Sequence, residues 1–213
     1  MQLPENLPIP GRWARGPLPD CHWVIPGRFL AGGMPGVVND EYTTRRLSAL
    51  VCDNKMSVFV SLTDERDRER PGFHPYRNRL LELACGEVPI IEHPIPDGGI
   101  VRDREAIGIA YTVINLLENG ENVYLHCMGG HGRAGTIVCL VIGLLYQLTA
   151  NEALVYCRNV HAQRDVQRNP ANPGYCAHSP QTLDQHNQVR RLLSRTTRMP
   201  DSHFFDSNDQ FLG

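Results

Sequence analysis

The chain has no C-x-x-C pair, and its seven cysteines, at 21, 52, 85, 127, 139, 157 and 176, are odd in number. That combination argues against both a disulfide scaffold and a structural zinc site. Nine histidines are present, but none falls in H-E-x-x-H or H-x-x-x-H spacing. Cys176 and His178 are close together yet lack further ligands at metal spacing, so no metal site is expected. Blocks of like charge are missing as well. The net charge is −2 with acids and bases interspersed, which speaks against nucleic acid as a partner and against an acidic solvating arm. The opening MQLPENLPIPGRWARGPLPD has no basic segment followed by an apolar one and does not read as a signal peptide. The longest apolar run, TIVCLVIGLLY, is far short of a membrane span. No internal repeat is visible. These absences lead to the expectation of a soluble, cytoplasmic protein with no stable membrane insertion and no cofactor; they leave its oligomeric state open.

The chain's 213 residues, 41% of them apolar, suffice for one core. Residues 1–20, rich in Pro and Gly, read as an extended arm, either loose or draped over the domain. Residues 21–196 form the expected domain and 197–213 a polar tail. CHWVIPGRFLAGG reads as a hairpin turning at Pro-Gly. SVFVSLT, VPIIEHPI and NVYLHC read as strands. Helices are expected over 39–54, capped by Asn39 or Asp40, near 77–84, over 103–119 with Asp103 as cap, through AGTIVCLVIGLLYQL, and over 151–162. A last helix is expected from Ser179 as cap, with Pro180 in its first turn. The charged RDRER, 66–70, reads as a solvated turn. Cys139 reads as core, and Trp13 and Trp23 as packing anchors. Strands alternating with helices predict an α/β fold with a mainly parallel central sheet flanked by helices.

The stretch HCMGGHGRAGT, 126–136, follows a strand and opens a helix, where such sheets bind ligands. It holds three phosphate-binding patterns. Gly130, Gly132 and Gly135 spell G-x-G-x-x-G, the dinucleotide fingerprint of an oxidoreductase. That pattern needs an acidic residue after a second strand, but Glu152 lies in another helix and the βαβ unit is incomplete. A P-loop needs a Lys before Thr136, and Gly135 stands there. Cys127 and Arg133 spell C-x5-R, in which each residue type has a task. Unpaired N–H groups at the helix start favour an anion, whether thiolate or phosphate. Glycines let the backbone curl around it. Arginine grips two phosphate oxygens with its planar fork. The leaving group then needs an acid on a nearby loop, and Asp97, ahead of Gly98 and Gly99, is preferred over Asp103.

On these residues the chain resembles the cysteine-dependent protein phosphatase superfamily of tyrosine and dual-specificity type. HCMGGHGRAGT is similar to its signature loop and PIPDGG to its acid loop. WVIPGRFLAGGMPG and SPQT-x-x-Q are similar to compact dual-specificity members, and the two glycines of the acid loop resemble the cyclin-dependent-kinase-associated phosphatase group. The similarity runs over roughly residues 22–193. It implies phosphate monoester hydrolysis on a phosphorylated protein, through a phosphocysteine and without metal. Cys127 would be the nucleophile, Arg133 the clamp, and Asp97 first acid, then base. The backbone of Met128, Gly129, Gly130, His131, Gly132 and Arg133 would cradle the phosphate. His126 would orient the loop and help keep the thiol acidic, and Gln181 or Gln185 would position water or substrate. Cys52 or Cys85 would be the partner for an oxidised Cys127.

Two departures from the pattern matter. The family's usual Ser or Thr after the arginine is Ala134 here, which removes a donor to the sulfur and predicts slow phosphocysteine breakdown unless Thr136 or a water substitutes. It also keeps open a phospho-binding protein with little turnover. Phosphoinositide-directed members carry lysines in the loop; here there is only His131, read either as a weak positive charge or as a residue facing solvent, so a phosphoprotein is favoured over an inositol lipid.

Overall fold

FLAG, VFVS and VYLH are short runs rich in aromatic and β-branched residues, and each becomes a strand buried along its whole length. The structure, a computed structural model, describes residues 2–36, 39–84, 88–166 and 178–196. The strands are β1 (Cys21–Ile25), β2 (Phe29–Gly32), β3 (Val58–Ser61), β4 (Ile90–Glu92) and β5 (Val123–His126). They form one sheet in the order β1-β2-β5-β3-β4. The β1–β2 hairpin is antiparallel, turning at Pro26-Gly27, and all other pairings are parallel. The expected mainly parallel α/β sheet is therefore what forms.

Register fixes where chemistry can occur. Gly32 of β2 and Ser61 of β3 both pair with His126 of β5. The carboxyl ends of three neighbouring strands thus meet at one edge, with Cys127 one residue beyond it.

Helices cover both faces: α1 (Asp40–Ser48), α2 (Glu65–Arg68), α3 (Arg77–Leu83), α4 (Asp103–Glu118), α5 (Gly132–Leu145), α6 (Ala150–His161) and α7 (Leu183–Thr196). Alternation along the strands splits the apolar residues between two cores. Phe29, Ala31, Val58, Val60 and Leu125 join α4–α7, whereas Leu30, Phe59 and Tyr124 join Leu47, Leu50 and Leu80. α5 lies inside the larger core, with every residue from Gly132 to Gly143 buried. Leu3, Leu7 and Trp13 pack against that core. Cys139 is core, and Trp23 packs on the smaller cluster.

One cap expectation holds and two local expectations change. Asn39 caps α1, its Oδ1 accepting from Tyr42 N–H at 2.9 Å, and a π-type turn, Ala49–Asp53, continues the helix. Asp103 is the first residue of α4 rather than its cap. Its carboxylate accepts instead from Arg191 of α7, at 2.6 and 2.8 Å, because a charged fork outcompetes a backbone N–H. The last helix begins at Leu183, not after Ser179. Thr182 and Gln185 cap it reciprocally, at 3.1 and 3.3 Å, and this capping box sets the start. Ser179 is used elsewhere. Cys85, Cys176 and the tail 197–213 lie outside the described residues.

Burial predicts a contrast in stability. Ile137 on α5 is 0% exposed and Leu183 at the start of α7 is 78% exposed. Ile137→Ala is expected to cost about 2–5 kcal/mol in urea unfolding, and Leu183→Ala no more than about 0.5 kcal/mol. Equal losses would contradict this placement of the core.

Candidate active site

β5 delivers Cys127 to the sheet edge, and the chain must then turn sharply into α5. Gly130 makes that turn with φ +69°, in the left-handed region. A side chain there would also strike β2, since a Cβ on Gly130 would lie 2.2 Å from the Gly32 carbonyl carbon. The Gly130 N–H points at the Cys127 sulfur, 3.2 Å away. Cys127 itself is 3% exposed.

Arg133, one residue into α5, reaches under the neighbouring strands. Its Nη1 donates to the Ile95 carbonyl at 3.0 Å and to Asp67 Oδ2 at 2.5 Å. Its Nη2 donates to Asp67 Oδ1 at 3.2 Å and to Asp97 Oδ1 at 2.9 Å. Four of arginine's five N–H groups are thereby engaged, and Nε–H makes no hydrogen bond among the described residues. Asp97 is bridged on its other oxygen by the exposed Arg70, at 2.7 Å. Cys127, Arg133 and Asp97, separated in sequence, thus share one edge of the sheet.

Asp67 has no place in the sequence reading. The RDRER segment is not simply a solvated turn, because Asp67 within it is 0% exposed. α2 is one turn long and exists through a capping box in which Asp64 and Asp67 each accept the other's N–H at 3.0 Å. That box turns Asp67 inward onto Arg133. Burial is the largest single influence and opposes the Asp67 charge, but the Arg133 hydrogen bond, the hydrogen bond within the Asp64 cap and the nearby Arg133 and Arg70 charges together hold the carboxyl below its usual range. Burial is likewise the largest single influence on Arg133 and opposes its charge, and Asp67, Cys127 and Asp97 together more than restore it. Removing either partner of such a pair costs about 3–5 kcal/mol. The spacing D-x-x-D directly after a buried strand is the signal that could have found it.

The histidines around the loop are neutral supports. His126 is fully buried, its Nε2 hydrogen-bonded to Tyr76 Oη at 2.7 Å. Burial pushes its pKa down to about 4, so it orients the loop but lends the sulfur no charge. His131 is half-buried and adds no charge at the mouth. Its Nδ1 meets His161 Nε2 at 2.8 Å, and burial beside Arg164 takes it down to about 4.

Geometry narrows three further sets of candidates. Thr136 does not replace the hydroxyl missing at Ala134, because its Oγ1 donates to the Gly132 carbonyl at 2.9 Å within α5. The Gln185 amide is already used: Oε1 accepts from Gln181 and Thr182 N–H at 3.0 and 3.1 Å, and Nε2 donates to the Gly99 carbonyl at 3.1 Å. It tethers the Asp97 loop to α7. Gln181 also reaches the loop, its Oε1 lying 2.9 Å from where a Cβ on Gly132 would be. Exposed Cys52 precedes β3 at the amino edge of the parallel sheet, opposite Cys127, too far for a disulfide without rearrangement.

Comparison with known proteins places the chain in a family. A family model described as the Swiss Army Knife protein, DSP-PTPase phosphatase domain, matches residues 18–178. The chain belongs to this DSP-PTPase family. It is 30% identical over 111 residues to "Putative tyrosine phosphatase 067L" of Invertebrate iridescent virus 3, covering 50% of this chain and 42% of the viral protein. The chain spans less than half the length of the curated relatives it matches. The fold is shared with a mutant form of Tk-PTP, at TM-score 0.61 and 21% identity over 84% of this chain and 97% of that one. It is shared too with kinase associated phosphatase carrying Ser for its catalytic-site Cys, at TM-score 0.58 and 18% identity over 81% and 89% of the chains. The phosphatase domain has no helix, among its described residues, long and apolar enough to cross a membrane.

Burial of uncharged imidazoles makes this phosphatase domain acid-sensitive. His22, His126, His131 and His161 all titrate below the ordinary 6.5 in the folded chain, each chiefly through burial. The unfolded chain therefore binds protons that the folded one refuses. Stability is full above pH 6.5 and falls as pH drops toward 4, by up to about 1.4 kcal/mol per pH unit for each histidine. The urea midpoint is expected to fall between pH 7 and pH 5, above the range where carboxylates titrate. A midpoint unchanged over that interval would contradict the burial of neutral imidazoles.

Proposed function

We propose that the chain hydrolyses phosphate monoesters on phosphorylated proteins through a phosphocysteine on Cys127, in a catalytic domain spanning 21–196 with residues 1–20 laid on it and 197–213 as tail. The observation that carries the proposal is the joint hydrogen bonding of Arg133 to Asp67 and Asp97 at the mouth of the loop that begins with Cys127.

Arg133 retains Nε–H, and its Nη2 is shared with Asp97. A phosphate dianion that takes both donors displaces the Asp97 oxygen from Nη2. The freed carboxyl, once protonated, faces the leaving group. The Cys127 sulfur then attacks phosphorus, the ester P–O bond breaks, and Asp97 gives its proton to the departing oxygen. In the second step Asp97 takes a proton from water, the water oxygen bonds to phosphorus, and the P–S bond breaks to release phosphate and the thiolate. Loop N–H groups and Arg133 grip the equatorial oxygens throughout. The route uses no metal or cofactor.

A protein substrate fits better than an inositol lipid because His131 is neutral and turned toward His161, leaving Arg133 as the loop's own charged side chain. A thiol nucleophile works in reducing surroundings, so the proposed setting is the cytoplasm.

Hydrolysis of an aryl phosphate, with chelator and reductant present, tests the proposal. Cys127→Ser is expected to lose turnover altogether yet still bind phosphate. Asp97→Asn is expected to lower kcat by about 10²–10⁴-fold and to lose the limb of the pH profile that belongs to the acid. Turnover surviving in Cys127→Ser would refute the nucleophile. Slow turnover with tight phosphopeptide binding in the unaltered chain would favour the binding-protein reading that Ala134 keeps open.

A further inference from the structure

A trans peptide places each N–H on the opposite side from the carbonyl of the preceding residue. The loop can gather its N–H groups round the Cys127 sulfur only if the carbonyls of Met128, Gly129, Gly130 and His131 are held outward. Each has a holder. Met128 O accepts from Met34 N–H at 3.0 Å, and His131 O from Ser179 Oγ at 2.9 Å. The two central carbonyls go to one side chain outside the C-x5-R motif: Gly129 O accepts from Arg164 Nη1 at 3.1 Å, and Gly130 O from Arg164 Nη2 at 2.7 Å.

We infer that Arg164 is a positioning residue of the phosphate site, which turns the two central loop peptides so that their N–H groups face the phosphate. The sense of the turn is visible at the first of them: with Gly129 O on Arg164, the Gly130 N–H lies on the sulfur at 3.2 Å. The inference rests on the phosphatase reading and deepens it.

Arg164 is aimed from behind. It is 3% exposed, follows α6, and donates from Nε to His22 Nδ1 at 2.8 Å. His131 Nδ1 lies 3.4 Å from its Nη1 and also meets His161. These imidazoles are uncharged, so they orient the guanidinium without neutralising it. The planar guanidinium presents two fixed donors to successive carbonyls while its Nε is held from behind, a geometry that a lysine ammonium does not reproduce.

The test separates charge from geometry. Inorganic phosphate binding is measured by calorimetry on Cys127→Ser with and without Arg164→Lys, and aryl phosphate kinetics on Arg164→Lys alone, both normalised to folded protein. The expected result is phosphate affinity weakened about 10-fold or more and kcat lowered about 10- to 100-fold, at an unfolding temperature near that of the parent. A merely structural role would lower the unfolding temperature while leaving affinity and kcat per folded chain within about twofold of the parent, and that result overturns the inference. If Arg164→Lys does not fold, His22→Leu, which removes the acceptor aiming Nε, takes its place under the same criteria. Lack of turnover in the unaltered chain would refute the phosphatase reading, and the phosphate-binding contrast would still decide the role of Arg164.

Discussion

A peptide unit cannot turn its N–H and its C=O into the same space, and the site depends on that constraint. The Gly130 N–H lies on the Cys127 sulfur while the loop carbonyls are held away, by Met34 of the chain leaving β2, by Arg164 after α6 and by Ser179 ahead of α7. The loop is thus shaped from three parts of the fold. Gly130 must be glycine for a related reason, since the inward turn brings it against the Gly32 backbone. The register that aligns Gly32, His126 and Ser61 makes the arrangement possible.

Arg133 ties this loop to the rest of the carboxyl edge. It binds the backbone after β4 through Ile95, the turn after β3 through Asp67, and the candidate acid through Asp97. On the proposed reading, one guanidinium is both the phosphate clamp and the partner that fixes where the candidate acid rests. The far side of the Asp97 loop is fixed by α7, where Gln185 and Gln188 donate to the carbonyls of Gly99 and Val101. Acid placement is in this way linked to residues 97–101, α2 and α7 together. At the sulfur, Ala134 leaves no hydroxyl, and Thr136 is committed to the Gly132 carbonyl. The Gly130 N–H remains on the sulfur, a weaker aid to a departing thiolate than an added hydroxyl would be.

Much of this is legible in the sequence because it is local. Short apolar runs mark the buried strands, the all-apolar stretch after the glycines marks α5, and C-x5-R with an upstream Asp-Gly-Gly marks Cys127, Arg133 and Asp97. The partners of those residues are not legible, because their contacts are non-local. Arg164 lies 31 positions beyond Arg133 in an unremarkable polar segment, and only the path of α6 brings it under the loop. Asp67 is hidden by its charged neighbours: RDRER is polar on average, and average polarity cannot show that one carboxylate points inward. Ser179 and Asp103 read as helix caps because that is the commonest local use of such residues. Each has a tertiary partner that takes precedence, His131 O for one and Arg191 for the other. His131 shows the limit from the other side, since neither exposure nor charge can be judged without His161 beside it.

The central claim is that the loop holds a phosphoryl group on the Cys127 sulfur during turnover. The most direct measurement is acid quenching of the chain within milliseconds of mixing with an aryl phosphate, followed by mass spectrometry of the peptide containing residues 126–133. The account predicts a phosphoryl group on Cys127 that builds up before steady state, because Ala134 offers the leaving sulfur no hydroxyl. Steady turnover with no phosphoryl group on that peptide, or with one on another residue, would contradict it.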